Sequence, residues 1–223
     1  MMAKKLIIHN PQLITCATLC ILIACSKTDP TLPGDRIPVF DTGAPTVLDR
    51  EPDDWGRDIE PQKCDFTIDG GNRIWKGRAR IFAGLPTESE INAPKRVACN
   101  GKFVYAGLST GELVKVDSAT RNLEWTADIF AAHAPTGGSH FLDIIAAPVL
   151  NGGFAYAGGL GGAFCKIRDS DGAKIWCLPI GVVEITRSTT KFNVLISTEN
   201  ELIAVSTDGK VYWKRKNHGK QHD

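Results

Sequence analysis

A chain of 223 residues with a formal net charge of +1, 43% of them hydrophobic and 23% charged, has ordinary globular composition and room for one domain of moderate size, with or without a tail. So balanced a charge excludes a nucleic-acid surface, which needs a clustered excess of positive side chains. The seven cysteines contain no CxxC pair, so zinc and dithiol-redox readings lack their spacing.

The N-terminus reads as an address. Met1 to Lys5 is short and basic, and Leu13 to Ala24 is an uninterrupted, mostly apolar run of about twelve residues. That length suits a signal-peptide core and falls short of the roughly 20 apolar residues of a membrane-spanning helix. The run ends in Leu22-Ile23-Ala24-Cys25, followed by Ser26. This resembles a bacterial lipobox, which implies a signal peptide over residues 1–24, diacylglycerol on the Cys25 thiol, cleavage after Ala24 and acylation of the new amine. Several acyl chains on one residue anchor stably, since each buried methylene contributes about 0.8 kcal/mol. By analogy with enterobacterial sorting, Ser26 in place of aspartate implies the periplasmic face of the outer membrane over the inner one. The alternative is an ordinary secretory signal. Loss of Lys4 and Lys5 with the leader would take the net charge from +1 to −1.

Residues 25–54 follow as a Pro-rich tether carrying Pro30, Pro33, Pro38, Pro45 and Pro52, many aspartates and few large apolar side chains. Such a segment buries too little surface to offset its ordering entropy, so an extended, disordered linker is expected. The charge-dense run from Asp49 to Asp54 reads as solvated chain.

Internal repeats carry the fold over residues 55–217. Gly101–Trp125 and Gly152–Trp176 align without a gap at an offset of 51, matching Tyr105 to Tyr156, Gly107 to Gly158, Gly111 to Gly162 and Trp125 to Trp176. A third copy runs from Asn193 to Trp213, and Asp69 to Trp75 resembles the closing half of a unit. Each unit reads as three or four short strands. In the first full copy these are Phe103 to Ala106, Glu112 to Asp117 and Leu123 to Ala127, with turns at 109–111 and 118–122. Asp171-Gly172 and Asp208-Gly209 supply turn residues of positive φ. The closing tryptophan offers an apolar body that can dock one unit on the next, and a unit that cannot bury both faces alone must stack. The expected fold class is all-β: a partial β-propeller of about three to four antiparallel blades. A generic antiparallel β domain is the alternative.

Between the repeats, His133 and His140 flank a flexible Gly-rich loop and read as solvent-facing, not as metal ligands. His218 and His222 lie in the polar tail, 218–223. Ser139, His140 and Asp143 could suggest a hydrolase triad, but proximity in sequence is no substitute for convergence in space. Cys165 and Cys177 lie on either side of the turn at 169–172 and could face each other across a hairpin. An oxidising compartment permits a disulfide there, but two buried free thiols are the preferred reading.

The stretch from Gly111-Glu112-Leu113 through Asp117 and Thr120 to Trp125 resembles the PQQ-like, WD40-like propeller repeat, although Arg121 and Asn122 stand where glycine is usual. In the second unit Arg168 takes the aspartate position, with Asp169, Asp171 and Gly172 close by. Lipobox, then a tether containing Leu32-Pro33-Gly34-Asp35-Arg36-Ile37-Pro38, then these repeats, resembles the BamB family of outer-membrane assembly factors. Asp143 to Val149, continuing through Trp176 to Gly181, looks like that family's central blades. The resemblance implies a non-catalytic lipoprotein scaffold, without cofactor or metal, that binds the barrel-inserting BamA protein. The family's ring has roughly twice the units found here, and about four blades is the lower limit for closure, so a shortened ring or one completed by a second chain is expected. Two rival readings are a generic periplasmic or surface propeller that binds another protein or a glycan, and a fragment of a PQQ-dependent dehydrogenase. The dehydrogenase reading lacks the adjacent-cysteine pair of those enzymes.

Overall fold

Alternating apolar positions and tight turns fold the repeats into antiparallel meanders. The structure, a computed structural model, describes residues 47–87, 97–129 and 141–217. Cys25 with its leader, most of the tether, the His133 and His140 loop and the 218–223 tail lie outside these residues. Those described fall in one unit, Val39–Asp223.

Among the described residues four sheets follow one another, each with its strands in sequence order. The first comprises β1 (Phe66–Ile68), β2 (Arg73–Lys76) and β3 (Ala79–Ala83). The second comprises β4 (Val97–Asn100), β5 (Phe103–Gly107), β6 (Glu112–Asp117) and β7 (Asn122–Asp128). The third comprises β8 (Val149–Asn151), β9 (Phe154–Gly158), β10 (Phe164–Arg168) and β11 (Lys174–Leu178). The fourth comprises β12 (Val182–Ser188), β13 (Phe192–Ser197), β14 (Glu201–Ser206) and β15 (Val211–Lys216). This is the partial β-propeller that the repeats imply. The fragment around Trp75 folds as the β1–β2 hairpin, and β3 adds a strand that the repeat pattern did not contain.

Period-two alternation gives each middle strand two apolar faces, and each face meets a neighbouring sheet. On β6, Val114 and Val116 pack toward the first sheet with Ile74 and Ile81, whereas Leu113 packs toward the third with Ala155, Ala157 and Ile167. Tyr156 and Phe164 then meet Leu195, Ile203 and Val205 of the fourth sheet. The core is therefore three successive layers between sheets, not one central cluster.

The outer face of the fourth sheet has no fifth sheet against it among the described residues. Val194, Ala204 and Trp213 form a small cluster there, and Trp55 packs against it. Residues 47–54, read from sequence as the end of the tether, lie along this sheet: Val47 bridges Val211 in parallel, and the Leu48 and Arg50 amides donate to the Val211 and Tyr212 carbonyls, each at 3.1 Å.

Two disulfides are present among the described residues. Cys165 and Cys177 are Cα partners across β10 and β11 and are joined, and Cys64 is joined to Cys99 over a sequence separation of 35. The second pairing has no counterpart in the sequence reading.

Candidate interaction site

The repeat places one cross-strand row of side chains in register in three sheets. Tyr105 pairs with Lys115 and Lys115 with Trp125; Tyr156 pairs with Lys166 and Lys166 with Trp176; Val194 pairs with Ala204 and Ala204 with Trp213. In the second and third sheets the row faces a turn of the next sheet. In the second sheet the row closes on Asp169: the Tyr105 hydroxyl donates to Oδ1 at 2.6 Å, Lys115 Nζ to Oδ1 at 2.9 Å, and Trp125 Nε1 to the main-chain oxygen at 2.8 Å. Lys115 also lies 4.3 Å from the Phe103 ring centroid.

The third sheet repeats the arrangement with weaker acceptors. Lys166 Nζ and Trp176 Nε1 both donate to the Thr207 carbonyl, at 3.0 and 3.4 Å. The turn glycines are needed for closeness as well as for φ. Gly172 (φ +73°) would place a Cβ 2.9 Å from the Trp125 ring, and Gly209 (φ +89°) one 3.2 Å from Trp176.

Burial shapes the titration of the two tyrosines. Burial, aided by the hydrogen bond to Asp169 and its charge, pushes the Tyr105 phenol far above its ordinary value. Burial, with the charge of Asp208 second, pushes Tyr156 up to about 12. In the second sheet Asp117, held by Lys102, stays below the ordinary carboxylate value.

A cavity of about 600 Å³ opens beside the first strands of the sheets. Its walls are β4, the start of the third sheet from Ala147 to Phe154, the end of β12 from Ile185 to Ser188, and the segment 58–62. β4, β8 and β12, the first strands of the second to fourth sheets, each pair within their sheet on one side only, so their other edges carry main-chain donors and acceptors toward this space. Arg57 to Ile59 already occupies part of one edge: Ile59 N donates to the Ser188 oxygen at 2.9 Å and Thr190 N to the Arg57 oxygen at 2.7 Å. The Arg187 guanidinium meets Asp58 at 2.9 Å beside them. Behind this wall, Ser188 Oγ and both polar side-chain atoms of its cross-strand partner Asn193 are buried with no hydrogen-bond partner, an uncommon condition.

Chemically the cavity offers main-chain edges, three carboxylates and one guanidinium. Asp169 is engaged by Tyr105 and Lys115, Asp58 by Arg187, and Cys99 by Cys64. Among the described residues no group of three or more His, Cys, Asp or Glu side chains could hold a metal ion, and no helix is long and apolar enough to cross a membrane. Of Ser139, His140 and Asp143, only Asp143 is described, and it is buried. Sequence reasoning took Glu51 for solvated chain, whereas it meets Trp213 and Arg215, and it passed over Trp55 and the Cys64–Cys99 pair. Their partners lie in sheets far along the chain, and only Trp55, a large apolar residue in a polar stretch, was a signal that could have pointed to them.

Antiparallel sheets stacked in chain order, with tryptophan-bearing strands docking on the next sheet's turn, define a propeller-type repeat protein. The chain belongs to the family described as outer membrane protein assembly factor BamB, whose model matches residues 27–215. Among solved structures it is similar to BamB from Moraxella catarrhalis, with a TM-score of 0.50 and 15% identity. That match covers 68% of this chain and 44% of the other, so the chain spans less than half the length of that relative. The computationally designed Ika8 protein gives a TM-score of 0.49 at 15% identity, covering 70% of this chain and 48% of that one. A search of curated proteins returns no match.

Proposed function

We propose that this protein is a non-catalytic, lipid-anchored scaffold of outer-membrane β-barrel assembly, held by Cys25 at the periplasmic face of the outer membrane and binding a BamA-like partner. The observation that carries this reading is the family match over residues 27–215, which joins the polar N-terminal segment to the repeats in one family pattern. Two features of the site agree with it. The carboxylates of Asp58 and Asp169 at the cavity are each held by a cationic neighbour, which suits architecture better than proton transfer. The first-strand edges at the cavity, apart from the part of β12 that Arg57 to Ile59 occupies, suit contact with another polypeptide.

The test extracts the full-length protein from membranes in detergent and analyses both its N-terminus and its companions. The expected outcome is an N-terminal Cys25 bearing acyl chains, with co-purification of the BamA-like protein. A Cys25→Ser chain should leave the membrane fraction. An intact, unacylated leader, or steady recovery of a different partner, would overturn the reading.

A further inference from the structure

Residues 47–65 belong to none of the four sheets, yet 58–62 form one wall of the cavity. Over the fourth sheet, this segment supplies what a following blade supplies elsewhere. Trp125 and Trp176 each donate their indole N–H to the next sheet's turn, and Trp213 donates to Glu51 Oε2 at 3.1 Å, with Arg215 on the same carboxylate at 2.7 Å. Where Tyr and Lys fill the row in the earlier sheets, Val194 and Ala204 leave room, and Trp55 fills it, with its ring centroid 5.2 Å from Phe192 and 6.5 Å from Trp213. Gly56 follows with φ +73°, and a Cβ there would lie 2.3 Å from Thr190 Oγ1, so the chain passes flush against the sheet.

Beyond Gly56 the segment leaves that face. Arg57 to Ile59 pairs on the Ser188–Thr190 edge, residues 58–62 form one wall of the cavity, and Cys64 is bonded to Cys99 in β4. The segment is thus tied at one end to the fourth sheet and at the other to the second, by the disulfide and by the Gly101 amide, which donates to Gln62 Oε1 at 3.4 Å, before it runs into β1.

We infer that residues 47–65 are a closing strap: the first half stands in for a blade on the fourth sheet, the second half closes the cavity, and the Cys64–Cys99 bond is its lock. The two disulfides differ in what they join. Cys165–Cys177 links neighbouring strands that the β ladder already holds, so opening it frees no segment. Cys64–Cys99 fastens the strap to a sheet it does not pair with, so opening it slackens the cavity wall. The opening reagent is a dithiol. Its first thiolate attacks one sulfur, the Cys64–Cys99 bond breaks, and the released thiolate takes a proton. The second thiol then resolves the mixed disulfide, leaving two protein thiols and the reagent as a cyclic disulfide.

The experiment measures amide hydrogen exchange on the full chain, oxidised and with C64S/C99S. We expect Ile59, Thr190 and the cavity-wall amides near Ile185 to exchange about tenfold faster or more in the variant. Leu48 and Arg50, bound to β15, should change little. A folded variant with unchanged protection at Ile59 and Thr190 overturns the inference. Should the variant fail to fold, stepwise reduction of the wild type by dithiothreitol replaces it, with peptide mapping of each disulfide. Protection at Ile59 and Thr190 must then fall in step with loss of Cys64–Cys99, and protection that follows Cys165–Cys177 instead also overturns it.

Discussion

Where the second sheet meets the third, a tyrosine, a lysine and a tryptophan converge on Asp169; where the fourth sheet meets the strap, valine and alanine stand beside the tryptophan and another indole lies over them. The backbone register is the same in both places. What differs is the partner. A neighbouring blade brings a turn with fixed carbonyls and a carboxylate, which rewards polar donors held in a buried row. A strap brings one aromatic side chain, which rewards empty apolar space. The side chains of a unit therefore record what lies next to it, even where the fold of the unit is unchanged.

Truncating the tryptophans should give the largest difference. Trp125→Ala removes a nearly buried ring between two sheets whose backbones are fixed by their own ladders, and should cost about 3–5 kcal/mol in denaturant unfolding. Trp213→Ala empties similar space beneath a strap that can settle into it, so the loss should be nearer 2 kcal/mol, because the cost depends on how well a site collapses. Equal losses would mean that the strap is as rigid as a blade.

Lysines come next. Lys115 is 6% exposed and binds both a carboxylate and a carbonyl of Asp169. Lys115→Met should cost about 1–3 kcal/mol and Lys166→Met, which loses one bond to a carbonyl, about 0.5–1.5 kcal/mol. A double-mutant cycle with Asp169→Asn isolates the ionic share, and a coupling near zero would reduce Lys115 to a packing role.

The repeats made much of this legible. The offset of 51 between Tyr105 and Tyr156 located the strands and their order, because period-two alternation and turn glycines are local properties. Even the Cys165–Cys177 hairpin was visible as geometry. The strap was not, because Glu51 meets Trp213 across 162 residues and its composition, acidic and Pro-flanked, is that of solvated chain. Nor was Cys64–Cys99, since neither cysteine occupies a repeated position. Local pattern reports the units, and only the assembled neighbours report what closes them.

Alkaline pH separates the two tyrosines more gently. Both phenols are raised in the folded state, so an unfolded chain begins to lose these protons near pH 10 while the folded chain keeps them. Stability from this source is therefore full below pH 10 and falls as pH rises. The share due to Tyr156 should be spent by about pH 12, whereas that of Tyr105 continues beyond. Unfolding midpoints measured from pH 9 to 12 should fall less steeply in Tyr156→Phe than in the wild type. Identical slopes would show that the buried phenols do not govern the alkaline limit.

The smallest effect should carry the opposite sign. Arg121 stands where the repeat has glycine and adopts φ +62°, while Gly172 at the matching turn adopts φ +73°. A left-handed conformation costs a side-chain-bearing residue about 1–2 kcal/mol, and glycine costs about 0.5–1 kcal/mol through its freer unfolded chain. The Arg121 side chain is exposed and its amide bond to the Asp117 carbonyl, at 2.7 Å, survives the change. Arg121→Gly should therefore stabilise the second sheet by about 0.5 kcal/mol, the surplus of strain relieved over entropy lost. A matching Gly172→Arg should do the reverse and more, since there the added side chain also meets Trp125. If Arg121→Gly destabilises instead, the arginine holds that turn by contacts stronger than its backbone strain, and the unit would differ from its neighbour in more than the residue at the turn.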